Sequence, residues 1–154
     1  DQAVAPLGVL GGVEYVDSVT GKATWLNYWP GSNSVSVDTN HPVKAFVYDD
    51  PMQLYVVVAD GTNTNRATAL ADTFANCDMA SVNSGSTNTG MASDMLDISS
   101  AATTNTLDVR IVGLFEDEGN LDYSAVGHQY IVRLNHPYNS GVGAAVGTFA
   151  TTAI

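Results

Sequence analysis

The chain has 154 residues, 45 % of them apolar, which suits one folded domain with its own core and not a disordered segment. Sixteen acids stand against five bases, a formal net charge of -11. That balance argues against nucleic acid and anionic membranes as direct partners, since both are held by clustered Lys and Arg.

Residues 1–12 are apolar, Gly-rich and unpatterned, and read as an arm that needs a surface to lie on. A short strand is expected over 13–16 and a returning strand over 23–28. Asp17 and Gly21 lie in the turn between them, where Gly21 can take a positive φ. The sequence Trp29-Pro30-Gly31 stops this first hairpin. Residues 43–48 read as a third strand, broken by Asp49-Asp50-Pro51 because proline lacks an N–H and restricts its predecessor. Residues 53–59, with one Tyr and three successive valines, form the most strand-prone run. Their continuous apolar character predicts a strand covered on both faces.

From 60 to 106 the chain turns to Thr, Asn, Ser, Ala and Gly. A short helix is expected within 65–74, with Leu70 and Phe74 four apart on one face. The rest of that stretch reads as long surface excursions anchored by Met95, Leu96 and Ile98. Two strand-like runs follow, over 107–115 and 128–135, joined by the acidic loop Glu116-Asp117-Glu118-Gly119-Asn120. They are expected to pair as a long-looped hairpin and to supply much of the core. Arg110 and Arg133, one in each run, are expected to make ion pairs within the sheet. The tail over 140–154 is again uncharged and rich in small residues.

The whole therefore reads as a single all-β domain over 1–154, a β-sandwich or barrel of jelly-roll-like character. Some seven to nine strands, long Thr/Asn/Ser-rich loops and at most one short helix are expected. No apolar run approaches the ~18 residues that span a bilayer.

Signals for chemistry are weak. His128 and His136, eight apart on one strand, fall about 26 Å apart at ~3.3 Å per residue, too far to share a metal. His41 is isolated, so no metal site is predicted. The acidic loop over 116–122 concentrates oxygen ligands without the alternation of an EF-hand, which leaves weak calcium binding open. Acidic pairs suited to glycoside hydrolysis cannot be paired by sequence. No Gly-X-Ser-X-Gly elbow occurs, and the glycines over 141–147 lack the Lys-Ser/Thr of a phosphate loop. No catalytic residue and no cofactor is therefore expected. The lone Cys77, beside Asp78 and with no base near it in sequence, reads as a small buried hydrophobe.

Several segments, in order, carry a resemblance. They are Glu14-Tyr15, Tyr28-Trp29-Pro30-Gly31, 45–51 (AFVYDDP), 107–114 (LDVRIVGL) with its acidic Gly-Asn loop, and 132–136 (VRLNH). Together they resemble the small head proteins of tailed bacteriophages, and they span most of residues 13–138. Such proteins are described as capsid decoration, or cementing, proteins. The resemblance implies a non-enzymatic subunit on the outer capsid surface of a virion. Its partners would be the major capsid protein and copies of itself, most often as a trimer. It transfers no site residues.

Our own expectation for the contact surface is the aromatic turn Trp25, Tyr28, Trp29 and Pro30 together with the terminal arms: Val4, Leu7, Val9 and Leu10 at one end and Phe149 at the other. A carbohydrate-binding or adhesive domain, with the same tryptophans facing solvent, is the competing reading. A bacterial surface or filament subunit shares these sequence features. A small hydrolase with an acidic pair ranks below them.

Overall fold

The computed structural model describes residues 7–81, 85–86 and 88–135. Val4, Phe149, His136 and the tail over 140–154 therefore lie outside the described residues. The elements are β1 (Val9–Val16), β2 (Ala23–Leu26), β3 (Lys44–Tyr48), β4 (Tyr55–Val58), helix α1 (Arg66–Ala71), β5 (Asn76–Ser81), β6 (Asp94–Ala102), β7 (Val109–Leu114) and β8 (Gln129–Leu134). A 3-10 turn, Glu118–Asn120, lies in the β7–β8 loop. The chain is all-β, as its sequence implies. The strands form two antiparallel sheets, one of three strands ordered β2-β1-β3 and one of five ordered β4-β8-β7-β5-β6.

The β1–β2 hairpin is closed by Asp17. Its Oδ1 accepts from the Val19 N–H at 2.9 Å and the Thr20 N–H at 2.7 Å, while Gly21 takes a φ of +66°. The Thr20 N–H first, then the Thr20 hydroxyl, hold the Asp17 carboxyl below the usual carboxylate range. A depressed carboxylate stabilises the fold above its unfolded value of about 3.9 and ceases to as pH falls through the lower folded value. We therefore expect Asp17→Asn to lower the urea midpoint at pH 7, and the gap to wild type to close below about pH 4. A gap that persists unchanged in acid would show that the charge on Asp17 is irrelevant to the turn.

The larger sheet curls until its outermost strands meet. Ala59, just past β4, bridges to Leu96 in β6 in parallel. Next to it the Asp60 N–H donates to the Leu96 carbonyl at 3.0 Å, and Asp60 Oδ1 accepts from the Ile98 N–H at 3.3 Å. Five strands cannot alternate direction all the way round a ring, so one like-directed seam is required, and this is it. The close approach needs a glycine beside it, because a Cβ on Gly61 would sit 2.6 Å from the Ile98 side chain. Inside lie Tyr130, Leu96, Ile111, Val109, Val132 and Cys77, all fully buried. This core belongs to the five-stranded sheet; Val13 and Tyr15 of the smaller sheet are buried apart from it.

Three expectations need correction. Residues 60–106 do not run mainly as surface excursions, because they contain β5 and β6, and β5 lies between β7 and β6 inside the sheet. Their small side chains suffice because Tyr130 fills the narrow interior from the opposite wall. β4 is not covered on both faces: it is an outer strand with β8 alone along its length, and Val56 is half exposed. Within 65–74 the buried residue is Ala69, while Leu70 and Phe74 are exposed. The helix starts at a capping box, with Asn65 Oδ1 accepting from the Ala67 and Thr68 N–H groups. It ends at Ala71, so the spacing of Leu70 and Phe74 does not apply; Phe74 itself takes a φ of +71°.

Candidate functional site

The exposed apolar surface is concentrated on the three-stranded sheet and the chain that leaves it. Glu14 is opposite Trp25 on one side and Lys44 on the other, and Gly12 is opposite Phe46. Strand alternation therefore puts Trp25, Lys44, Phe46 and Tyr48 on one face. That face is open: Trp25 is 53 % exposed, Phe46 46 % and Tyr48 62 %. Trp25 meets Phe46 edge-on at 5.0 Å between ring centroids and lies over Gly12, where a Cβ would come within 2.1 Å of the indole. A shallow slot of about 170 Å³ opens between Trp25, Phe46, Val47 and Tyr48, floored by Gly11. A Cβ at Gly11 would be 2.8 Å from the Tyr48 ring, so a larger residue there would displace that ring and close the slot. The band continues along the chain through Met52, Leu54 and Val56, all exposed.

The opposite face of the small sheet carries buried Val13 and Tyr15, with Trp29 edge-on to Tyr15 at 6.0 Å. Beside it runs an open groove of about 630 Å³, with Val9, Leu10, Tyr28, Trp29 and Pro30 along one wall and Met91, Ala92 and Asp94 on the other. Asn27 Nδ2 donates to the Thr89 carbonyl at 2.7 Å and ties the far wall to the end of β2. The sequence-predicted contact residues are thus divided. Trp25 stands on the outer aromatic face, while Tyr28, Trp29 and Pro30 meet Val9 and Leu10 at the groove; Leu7 is exposed next to β1.

A second cluster joins a His, an Asp and a Tyr. Tyr130 donates its hydroxyl to Asp72 Oδ2 at 3.1 Å and accepts from Asn63 Nδ2 at 2.7 Å. His128 Nδ1 is 3.2 Å from the Ala125 carbonyl, so it carries the proton, and Nε2 accepts from Asn63 Nδ2 at 3.3 Å. Burial first, then the charge of Asp72, pushes the Tyr130 phenol up. Every polar atom named here is used inside the protein. The cluster binds the loop at Asn63, the end of α1 and β8 into one unit.

The acidic loop is similarly self-satisfied. Glu116 pairs with Arg66, Asp117 caps the 3-10 turn, and Asp122 Oδ1 accepts from the Ser124 N–H at 3.1 Å. Among the described residues no three His, Cys, Asp or Glu side chains gather as metal ligands. His41 Nδ1 contacts Asp38 Oδ2 at 2.8 Å. The arginines depart from expectation. Arg110 and Arg133 face each other across β7 and β8 and are not in the ion pairs found among the described residues. Arg110 lies over the Phe74 ring at 5.6 Å, and Arg133 reaches the Met52 sulfur at 3.8 Å. Cys77 is fully buried, and burial first, then Asp72 and Asp97, pushes its thiol up to about 12.

No family model, no curated protein and no solved structure matches this chain. No helix among the described residues is long and apolar enough to cross a membrane.

Sequence reasoning missed Phe46, Tyr48, Met52, Leu54 and Val56 as surface residues because their runs look like core strands. A signal was available: Pro42 and Pro51 bracket 43–50, and Asp49-Asp50 with Lys44 mark its ends as solvated.

Proposed function

We propose that this chain is a non-enzymatic structural subunit that decorates and stabilises the outside of a phage capsid. It binds copies of itself and the major capsid protein through the apolar surface of its small sheet. One observation carries the reading: an acidic chain leaves Trp25, Phe46 and Tyr48 open together on one sheet face, and Met52, Leu54 and Val56 exposed in the chain that follows. Exposed apolar surface gathered on one face marks a site of association. A shell subunit must also stay soluble until it reaches its site, which strong net charge promotes. Many weak contacts then add over the shell.

A second reading is favoured by the groove, where Tyr28 and Trp29 sit with Asn27 and Asp94. Aromatic rings beside hydrogen-bonding groups suit a neutral oligosaccharide. The test is the mass of the purified chain by size-exclusion chromatography with light scattering. We expect a small closed oligomer, well above 16.1 kDa, with Trp25→Ala on the open face shifting it toward monomer and Trp29→Ala in the groove leaving it unchanged. A monomer at all concentrations that binds on a glycan array would replace the first reading by the second.

A further inference from the structure

We propose that the open edge of β3 pairs with the β3 edge of a second copy of this chain, antiparallel and centred on Phe46. This rests on the subunit reading above and names the surface by which copies meet. β3 is outermost in its sheet, with β1 on one side and no described strand on the other. Folded proteins guard such edges with bulges, inward charges, lysines or prolines. Within β3 the one such residue is Lys44 at its first position, where it pairs with Glu14 of β1, and Ala45–Tyr48 carries no charge, bulge or proline. All its residues except Val47 are exposed, and Pro42 and Pro51 stand outside it, limiting any added pairing to 43–50.

The backbone restricts the register. The Tyr48 carbonyl is turned toward the β1 side, against Gly8. Backbone groups alternate along a strand, so the N–H and C=O of Ala45 and Val47 face the open edge. A pair centred on Phe46 sets Ala45 opposite the other copy's Val47, twice, and joins outward groups to outward groups. A slip of one residue would set them against groups that are already used.

Charge selects the direction. Lys44 stands at one end of the strand and Asp49-Asp50 at the other, with Lys44 held at 3.3 Å from Glu14 but still largely exposed. Antiparallel pairing brings the cationic end of each copy against the acidic end of the other; parallel pairing would set like against like. In this register Lys44 faces Tyr48 and lies diagonal to Asp50, both of the other copy. Phe46 meets its own counterpart on the axis, so the two Trp25–Phe46–Tyr48 faces become one aromatic band. The contact is twofold and self-complementary, the commonest kind between identical chains. The expected oligomer is then a dimer, where the resemblance implies a trimer.

The test places cysteines across the axis in the full chain. Directly opposed residues of a non-hydrogen-bonded antiparallel pair have Cα atoms about 4.5 Å apart, within disulfide range. Native Cys77 is buried and its thiol is pushed up to about 12, so it gives no background. Under mild oxidation Phe46→Cys should form a covalent dimer at least tenfold faster than Tyr48→Cys, whose two copies are offset by about 13 Å. Mixing Lys44→Cys with Tyr48→Cys should give the mixed dimer while leaving Phe46 intact. Lys44→Glu should weaken the non-covalent dimer about tenfold. Equal linking at 46 and 48, or no mixed 44–48 product, overturns the pairing. An oligomeric wild type that fails to link overturns the edge contact and leaves the subunit reading standing. Linking at 46 in a chain that binds glycans and not capsids keeps the pairing and removes the subunit reading.

Discussion

Leu96→Ala should lower the free energy of unfolding by about 3 kcal/mol, within the range of large-to-small core substitutions. Leu96 is fully buried, and it lies where the five-stranded sheet closes on itself. Truncation removes side-chain contacts and leaves a cavity directly under the seam. Its carbonyl still accepts from Asp60, but the strand that presents it loses its anchor. Urea denaturation followed by far-ultraviolet circular dichroism measures the loss. Amide exchange adds the location: the Asp60 N–H should lose protection before the amides of β7 do. A loss below about 1 kcal/mol, with Asp60 unchanged, would mean that the seam is not part of the cooperative core.

Asn120→Ala should cost about the same, for a different reason. Asn120 is buried in the loop between β7 and β8 and replaces a missing stretch of ladder. Its Nδ2 donates to the Phe115 carbonyl at 2.6 Å and the Gln129 carbonyl at 3.0 Å, and its Oδ1 accepts from the Gln129 N–H at 2.7 Å. Alanine takes the partner from the Phe115 carbonyl and the Gln129 N–H, while the Gln129 carbonyl keeps the Phe115 N–H at 3.1 Å; at roughly 1–3 kcal/mol for each group that water cannot reach, about 3 kcal/mol in all is expected. Asn120→Asp should not rescue stability. A carboxylate can accept from Gln129 but turns its second oxygen against two carbonyls. If Asp restores the urea midpoint, the donor side of this amide has no role and the account of the loop is wrong.

The β7–β8 hairpin was legible because both runs are dense in Val, Ile and Leu and the loop between them is dense in turn residues. The end of β3 was legible because Asp49-Asp50-Pro51 cannot extend a ladder. The helix start was visible in composition, but its buried face was not. That face depends on which side of α1 meets the sheet, and Ala69, not Leu70, happens to point there. β5 and β6 were hidden for a related reason. Asn76–Ser81 and Asp94–Ala102 carry Asp, Ser and Ala at many positions, and only their place opposite Tyr130 makes such residues adequate core. The contact surface was half legible. Trp25 and Trp29 stand out in the sequence as aromatics beside a turn, but Phe46 and Tyr48 are legible only as members of a strand over 43–48.

What the sequence by itself determined is class and character: an all-β chain, strongly acidic, with one inert thiol and strands bounded by Pro, Gly and Asp. These follow from local rules, since backbone restriction, alternation and net charge act within a few residues or over the whole composition. Only the tertiary structure decided which strands lie at edges, how the larger sheet closes at Ala59 and Leu96, and which apolar residues are left outside. Burial depends on what arrives from distant parts of the chain. Two strands that both carry aromatic and β-branched residues, β3 and β8, therefore meet opposite fates: β8 is enclosed by β4 and β7, and β3 has β1 alone beside it among the described residues.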